Sequence, residues 1–302
     1  MRNAFSDALV AAAVEDPKVL LLTGDHGYAL FDHFRKKCPK QYINCGVAEQ
    51  NMVGVAAGLA KAGFRPIVYG LAAFVPIRVL EQIKLDVCYE NLPVTFIGDG
   101  AGLVYSHLGT SHQSTEDIAC TRSIPNLIVL SPADRFEMTA VMRIIKNAES
   151  PIYLRMGKSD QGDVHHSTPD LHAGKMLQLR QGRGKVAVFA TGSMVKTALT
   201  ISQNSFDFDV WSVPSIKPIS AMQLKNITQN IKKIITMEEH SVIGGLGSAI
   251  SDTMASENPI SICRIGIEDS FSNSCGNWEH LLNEHNLKTD RIIERIKLFL
   301  AQ

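Results

Sequence analysis

VLLLTG, residues 19–24, is a short, predominantly apolar run that ends in glycine. A strand in the middle of a parallel sheet takes this form, because helices cover it on both faces. Similar runs follow at RPIVYG (65–70), LPVTFIGDG (92–100), NLIVLSP (126–132) and PIYLRM (151–156). Helical stretches lie among them at 48–62, 76–90 and 132–148. This alternation predicts a parallel sheet covered by helices.

The pattern is lost from residue 158 to residue 183, where glycine, proline, histidine and charged residues dominate. Such a composition is typical of a surface connection. The histidines of this connection, which we expect to be solvated, are His165, His166 and His172. The alternation then resumes, with predicted strands at 186–190, 208–213, 233–237 and 260–265. We therefore predict an α/β protein of two three-layer domains with mainly parallel sheets, 1–157 and 184–302, joined by a linker at 158–183.

The composition argues against several classes of function. Thirty Lys and Arg residues balance thirty Asp and Glu residues, so no global charge attracts nucleic acid or an anionic membrane. No apolar run approaches the length of a membrane span, and the N-terminal MRNAFSDALVAAAVEDP predicts an amphipathic helix rather than a signal peptide. The six cysteines form no CxxC pair, which indicates reduced thiols, a cytoplasmic location and no zinc site.

Two glycine-rich stretches allow alternative interpretations. FIGDGAG (96–102) follows a predicted strand, and its turn could free backbone amides for a phosphate while Asp99 binds a metal. A tight turn after a buried strand explains the same residues, and Asn126, 26 residues beyond Gly100, is poorly placed as a ligand because it starts a strand after a proline. GGLGSA (244–249) could bind an anion at a helix N-terminus, although helix packing explains it equally. We favour the structural interpretation of both stretches.

NCGVAEQNMVGVAAGLAKAG (44–63) places a single acid at the start of a predicted helix rich in glycine and alanine. Gly54 and Gly58, with the alanines around them, allow another backbone to approach closely. A carboxylate at such a packed, poorly hydrated position could share a proton with a ligand. The alternative is an acid that only complements the helix macrodipole, so Glu49 on its own does not identify a site.

SHLGTSHQSTED (106–117) predicts a loop in which Ser111, Gln113 and Glu116 surround His112. A histidine on a loop that follows a strand is well placed for proton transfer. A solvated loop histidine explains the residue equally well on local grounds, so both interpretations stay open at this level.

Together these stretches resemble the transketolase family, specifically the C-terminal half that two-subunit transketolases carry as a separate chain. GVAEQNMVGVAAGLA, AFVPIRVLEQIKLDV, GTSHQSTEDIACTRSIPNLIVLSPAD and SPIYLRMGK occur in the order and spacing of the family, and MEEHSVIGGLGSAISD (237–252) matches its C-terminal domain. The resemblance covers essentially the whole chain. It implies a pyrimidine-binding domain to about residue 157, followed by a transketolase C-terminal-like domain. GDG (98–100) resembles the signature of the diphosphate-binding half of the family. The resemblance of the whole chain nevertheless places these residues outside that half.

The resemblance implies a role for each matching residue. Glu49 matches the glutamate that hydrogen-bonds the pyrimidine of thiamine diphosphate and promotes its proton transfer, and Phe74 matches the aromatic residue stacked on that ring. Arg78 stands at a position that the family retains and is expected to contact the cofactor. His112 matches a catalytic histidine that contacts the donor substrate. Arg155 matches a basic residue that binds the phosphate of an acceptor.

The chain departs from the family in the residues that recognise the substrate. Relatives usually read EDGASHQ where this chain reads HLGTSHQ at 107–113, so Leu108 replaces an aspartate that recognises a sugar hydroxyl. An expected histidine corresponds to Gly100, and an expected phosphate-binding serine corresponds to Ala29. With His107 and Leu108 at the substrate position, the resemblance implies unchanged cofactor chemistry and a non-standard substrate.

The implied enzyme needs a second subunit. The diphosphate-binding half of the family has no counterpart in this sequence, so we expect a partner that binds Mg²⁺ or Ca²⁺, shares the thiamine diphosphate and forms an α2β2 heterotetramer. The expected reaction transfers a two-carbon ketol or acyl unit from a ketone donor to an aldehyde or ketone acceptor. Two alternatives stay open: the β subunit of a 2-oxoacid dehydrogenase, and a non-catalytic scaffold that has lost half of its site.

Overall fold

The structure is a computed structural model that describes residues 1–158, 161–255 and 258–302. Its strands are β1 (Val19–Thr23), β2 (Tyr42–Asn44), β3 (Arg65–Leu71), β4 (Thr95–Asp99), β5 (Ile128–Leu130), β6 (Ile152–Met156), β7 (Leu177–Arg180), β8 (Val186–Ala190), β9 (Asp209–Ser212), β10 (Ser215–Lys217), β11 (Lys233–Ser241) and β12 (Ser261–Ile267). Its α-helices are α1 (Arg2–Glu15), α2 (Asp32–Lys37), α3 (Glu49–Lys61), α4 (Leu80–Gln82), α5 (Asp117–Arg122), α6 (Arg135–Lys146), α7 (Met194–Asn204), α8 (Ala221–Thr228), α9 (Leu246–Ala255), α10 (Trp278–Glu284) and α11 (Thr289–Ala301). Short 3₁₀ turns occupy Ala29–Phe31, Pro39–Gln41, Ile77–Val79 and Ser106–Leu108, and a π-helix follows α4 at Ile83–Cys88.

Two mainly parallel sheets organise the described residues. The first sheet has the strand order β10-β5-β6-β4-β3-β1-β2, and the second has the order β12-β11-β8-β9-β7. The antiparallel pairs, β10 with β5 and β7 with β9, both lie at sheet edges. The predicted α/β class with two mainly parallel sheets is therefore confirmed.

Helices cover both faces of the first sheet, because its strands alternate apolar side chains above and below. On one face, Met52 and Ala56 of α3 pack against Leu22 of β1 and the neighbouring strands. On the other face, Phe5 of α1 and Val141 of α6 pack in a second apolar layer. Burial of each large apolar side chain contributes roughly 1.5–3 kcal/mol. These two layers fix the carboxyl ends of the strands, where the loops with the candidate residues begin.

The second half of the chain is not confined to the second sheet. β10 crosses over to pair with β5 at the edge of the first sheet, and β7 lies inside the predicted linker. The helix predicted at 76–90 is instead a 3₁₀ turn, a short α-helix and a π-helix. Apolar periodicity indicates a helical path but does not distinguish these hydrogen-bond patterns. The domain limits 1–157, 158–183 and 184–302 stay predictions.

The connection between the sheets is attached to the N-terminus of α6. The backbone N–H groups of Val164 and His165 both donate to Asp134 Oδ2 at 2.9 Å, and the His165 side chain is 12% exposed. The expectation that His165 is solvated is therefore wrong, whereas His166 and His172 are exposed. Burial on its own would raise the pKa of Asp134, but the hydrogen bonds from His165 and from backbone N–H groups lower it to about 2. Within the described residues, we find no helix with both the length and the apolar character needed to cross a bilayer.

Candidate active site

Glu49 begins α3 directly after a tight turn from β2. The Gly46 N–H donates to Asn44 Oδ1 at 2.9 Å, and Gly46 has a φ of 69°, a conformation that favours glycine. The turn leads into the helix so that the Glu49 side chain faces inward, and the residue is 4% exposed. The helix macrodipole favours a negative charge at this end. Glu49 Oε1 accepts a hydrogen bond from Arg78 Nη1 at 3.1 Å, which pairs the carboxylate with a cation.

Phe74 and Arg78 lie on the turn that follows β3. The N–H groups of Phe74 and Val75 donate to the Leu71 carbonyl at 2.8 and 2.7 Å, which holds Phe74 at the carboxyl end of the sheet. The guanidinium carbon of Arg78 lies 4.1 Å from the centre of the Phe74 ring, a cation–π distance. Arg78 therefore contacts the phenyl ring and the Glu49 carboxylate at the same time.

Two histidines flank the same phenyl ring. The His112 ring is 5.3 Å from the Phe74 ring, centre to centre, with 66° between the planes, and His112 Nδ1 lies 3.0 Å from Ser111 Oγ. The His26 ring is 6.3 Å from Phe74, and its buried Nε2 has no hydrogen-bond partner among the described residues. The five residues that we call the Phe74 cluster are Glu49, Phe74, Arg78, His112 and His26.

Sequence reasoning did not select His26. DHGYAL begins one residue after the end of β1, and ligand sites of open parallel sheets form at the carboxyl ends of strands. That position is the signal that could have identified the residue. The preceding Asp25 has a φ of 64°, a left-handed conformation that aspartate tolerates better than most residues.

His107 and Leu108 are the exposed residues of the 3₁₀ turn that precedes His112. Leu108 is 54% exposed, and no hydrogen bond, ion pair or ring contact joins either side chain to the Phe74 cluster within the described part of the chain. Tyr105 fills the space beside Gly100, since a Cβ built on Gly100 would lie 1.9 Å from Tyr105 Cε2. The place of the histidine expected at Gly100 is therefore taken by a tyrosine from the neighbouring loop.

Arg155 does not join the cluster. Its side chain is 2% exposed; its Nε donates to Asp117 Oδ2 at 2.8 Å, and its Nη2 donates to the Glu239 carbonyl at 2.8 Å. Tyr153 also donates to Asp117 Oδ2, at 2.7 Å. These two hydrogen bonds link Arg155 to Asp117 of the first domain and to the Glu239 backbone of the second, so the guanidinium helps to hold the two domains together. The expected role of Arg155 in binding an acceptor phosphate stays a prediction.

Other groups of the same chain form hydrogen bonds with both glycine-rich stretches. Asp99 accepts hydrogen bonds from Tyr69 at 2.7 Å and from Tyr105 at 3.2 Å, while Asn126 donates to the Cys88 carbonyl. At GGLGSA, the Glu238 carboxylate accepts the N–H groups of residues 246 and 247 at 2.6 and 2.8 Å, so it occupies the helix N-terminus. Burial raises the pKa of Glu238 to about 7, although these bonds oppose that shift. Among the described residues, no group of three or more His, Cys, Asp or Glu side chains is arranged to hold a metal.

The position of Arg78 indicates what kind of group the cluster accommodates. A guanidinium is planar and donates hydrogen bonds, and this one stacks on Phe74 while it donates to Glu49. A protonated heteroaromatic ring is also planar and donates through a ring N–H, so the carboxylate and the phenyl face fit such a ring. The ring and the guanidinium would compete for the same two partners. A ring that occupied these two partners would therefore displace Arg78 from them.

The chain matches two family descriptions over most of its length. Residues 1–162 match "Transketolase, pyrimidine binding domain", and residues 174–292 match "Transketolase, C-terminal domain". One of the subunits of the apulose-4-phosphate transketolase of Phocaeicola vulgatus is 33% identical over 274 residues, which cover 89% of this chain and 87% of that protein. The SqwH subunit of the 6-deoxy-6-sulfo-D-fructose transketolase of Clostridium sp. (strain MSTE9) is 30% identical over 298 residues, 97% of this chain and 92% of that one.

A solved structure agrees with these matches. The structure described as "Split gene transketolase, inactive beta4 tetramer" superposes with a TM-score of 0.88 at 32% identity, over 99% of this chain and 97% of that one. The similarity extends through both sheets and the connection between them. The chain therefore belongs to the transketolase family and carries its pyrimidine-binding and C-terminal domains.

Proposed function

We propose that this chain is the pyrimidine-binding subunit of a two-subunit, thiamine-diphosphate-dependent transketolase that transfers a two-carbon ketol or acyl unit between a ketone donor and an aldehyde or ketone acceptor. The observation that carries the proposal is that Glu49 and Phe74 hold one planar hydrogen-bond donor between them. Membership of the family supports thiamine diphosphate as the cofactor. When bound, that cofactor supplies a nucleophilic carbon that attacks a ketone and allows the adjacent carbon–carbon bond to break.

Glu49 is proposed to hold the proton at N1′ of the pyrimidine. The residue is 4% exposed, so few water molecules compete for that proton, and a carboxyl group at this position acts as a general acid and base. Phe74 would present an apolar face that orients the ring, and Arg78, displaced from Glu49, would contact the cofactor. His112, at the edge of Phe74, is proposed to hydrogen-bond an oxygen of the donor, with Ser111 fixing its ring orientation.

The diphosphate and its Mg²⁺ or Ca²⁺ are proposed to lie on a partner subunit in an α2β2 complex in the cytoplasm. Asp99 and the N-terminus of α9 both have partners within this chain, which argues against a diphosphate site on either. The similar solved structure is described as an inactive β4 tetramer of a split-gene transketolase. That description supports a chain of this type that needs a partner for activity.

The substrate is proposed to be non-standard. Leu108 is an apolar side chain on the loop that carries His112, and it cannot hydrogen-bond the sugar hydroxyl that an aspartate would bind. A hydroxyl that loses water without gaining a partner costs about 1–3 kcal/mol. Two similar proteins are named for apulose 4-phosphate and for 6-deoxy-6-sulfo-D-fructose, which supports a donor other than xylulose 5-phosphate.

Donor assays on the reconstituted complex test this proposal. The complex would be supplied with Mg²⁺, thiamine diphosphate and ribose 5-phosphate, and with xylulose 5-phosphate, apulose 4-phosphate, 6-deoxy-6-sulfo-D-fructose or pyruvate as donor. We expect ketol transfer from one of the non-standard sugars with a kcat/KM on the order of tenfold above that for xylulose 5-phosphate. Equal or better transfer from xylulose 5-phosphate would contradict the substrate proposal. Reduction of a dye by a 2-oxoacid without ketol transfer would favour the 2-oxoacid dehydrogenase alternative, and no turnover of any donor would favour the scaffold.

A further inference from the structure

A hydrogen-bonded bridge links the loop of His112 to the second domain. We call residues 104–113 the substrate loop and residues 268–277 the brace loop. Gln113, the last residue of the substrate loop, accepts a hydrogen bond at Oε1 from Ser272 Oγ of the brace loop at 2.8 Å. The same Ser272 Oγ lies 2.9 Å from His285 Nε2. Ser272 therefore connects a side chain of the substrate loop to the C-terminal end of α10.

The protons of this bridge can be assigned from donor counts. The hydroxyl of Ser272 has one proton, which it gives to Gln113 Oε1, so His285 Nε2 must donate to Ser272. Gln113 and His285 are 5% and 7% exposed. Burial lowers the pKa of His285, and a neutral imidazole with its proton on Nε2 supplies the required donor. Removal of the Ser272 hydroxyl would leave the buried acceptor Gln113 Oε1 and the buried donor His285 Nε2 without this partner.

The brace loop contacts the substrate loop at further points. The Gly276 N–H donates to the Ser106 carbonyl at 3.4 Å, and the Thr110 hydroxyl lies 3.5 Å from the Ser272 carbonyl. A cavity of about 80 Å³ borders Gln113, Ser272 and His285. It is polar and large enough for ordered water. Within the described residues Gln113 Nε2 has no partner, so Ser272 provides the hydrogen bond that holds this side chain.

The bridge acts on the residue beside Gln113. His112 precedes Gln113, and Ser114 follows it and exchanges two backbone hydrogen bonds with Gly102, at 2.7 and 3.1 Å. The backbone that follows His112 is therefore fixed in two ways. Ser114 pairs with the Gly102 backbone, and the Gln113 side chain is hydrogen-bonded to Ser272 of the second domain. A displacement of about 1 Å at a reacting group can cost on the order of 100-fold in rate.

We propose that Ser272 is a positioning residue that, through Gln113, keeps His112 against Phe74 and so makes the second domain a determinant of donor binding. This inference rests on the proposed function, in which His112 contacts the donor. It gives the brace loop a role in catalysis without any contact between Ser272 and the substrate.

Three variants of the full chain, each reconstituted with the partner subunit, test the inference. Ser272→Ala removes the bridge, Ser272→Thr retains a hydroxyl, and Ser274→Ala is the matched control because the Ser274 hydroxyl bonds to Glu284 and His280 of its own domain. We expect Ser272→Ala to lower kcat/KM for the donor on the order of tenfold, mainly through a higher KM. We expect Ser274→Ala to keep the wild-type affinity for thiamine diphosphate and the wild-type melting temperature. Ser272→Thr should recover most of the donor kcat/KM.

Amide hydrogen exchange of the substrate loop gives a second readout that needs no turnover. We expect faster exchange at residues 106–113 in Ser272→Ala and wild-type protection in Ser272→Thr and Ser274→Ala. Donor kinetics of Ser272→Ala that match those of Ser274→Ala would overturn the inference, with or without faster exchange. If the wild-type complex turns over no donor, the proposed function fails, and unchanged exchange in Ser272→Ala would then overturn the bridge as well.

Discussion

At the scale of single residues, the Glu49 carboxylate sets the requirement that a ligand of the Phe74 cluster must meet. A buried carboxylate is costly unless a donor pairs with it, and Arg78 provides that donor at 3.1 Å. A ligand that displaces Arg78 must offer an N–H or O–H donor in its place, because an acceptor or an apolar group would leave the carboxylate unpaired. The Phe74 face adds the requirement that the ligand be flat.

Replacement of Glu49 by glutamine tests the proton-holding role. Glu49→Gln keeps the size of the side chain and an acceptor oxygen for Arg78, but an amide cannot exchange the proton. We expect kcat to fall about 10²–10⁴-fold, while the melting temperature and the mass of the complex stay unchanged. Glu81→Gln, at an exposed acid in α4, is the control. A correctly assembled Glu49→Gln complex that turned over at the wild-type rate would show that Glu49 has another role.

Residues of the Phe74 cluster could be predicted from the sequence where they belong to a family motif. They could not be predicted where their environment is formed by distant parts of the chain. Glu49 and His112 stand in stretches that match the family closely. The contact of Arg78 with Phe74 could not be predicted, because the conformation of a long side chain depends on its three-dimensional neighbours. The burial of Arg155 could not be predicted for a similar reason: only the packing of the second domain brings it against Glu239. His26 lacked any motif.

At the scale of secondary structure, α3 has two faces of different character. Met52 and Ala56 lie on the buried face, whereas Gly54 and Gly58 are exposed, and a Cβ built on either would meet no atom within 4 Å. The close backbone approach that these glycines predict is therefore not made within this chain. We infer that the glycine face of α3 lies against another subunit.

A leucine on that face should prevent assembly. Gly54→Leu places a bulky side chain where the chain itself leaves open space, so we expect the variant to fold with the wild-type melting temperature yet to lose its subunit contacts. Lys297→Leu, on the exposed side of α11, adds a leucine elsewhere as a control. Size-exclusion chromatography with light scattering measures the result. Stoichiometric co-purification of Gly54→Leu with the partner would place the interface on another surface.

Elements were predicted well where their apolar pattern is strong and missed where pairing depends on tertiary contacts. The runs at 19–24 and 151–156 became β1 and β6, because most of their residues are apolar and every residue of the two strands is buried. β7 and β10 are short edge strands that contain charged residues. The packing of the whole chain brings their antiparallel partners, β9 and β5, next to them. No local sequence pattern therefore predicts β7 or β10.

At the scale of the whole molecule, buried polar groups hold the two domains in one arrangement. The Glu239 carboxylate accepts hydrogen bonds from the Leu103 N–H at 2.8 Å and from the Ser193 hydroxyl at 2.6 Å, and Arg155 donates to the Glu239 carbonyl. Buried charges persist in a stable fold when their partners are complete. This fixed arrangement lets the brace loop reach the substrate loop, and it leaves the glycine face of α3 free for a partner.

Calorimetry of thiamine diphosphate binding measures most directly whether this chain holds only the pyrimidine half of a shared site. The cofactor would be titrated with Mg²⁺ into this chain, into its partner subunit and into their equimolar mixture. We predict no measurable binding to this chain by itself, because Asp99 and the N-terminus of α9 are occupied by groups of the chain, and tight binding to the mixture. Tight binding of thiamine diphosphate by this chain alone would contradict the shared site and would make the GDG turn at 98–100 a diphosphate site.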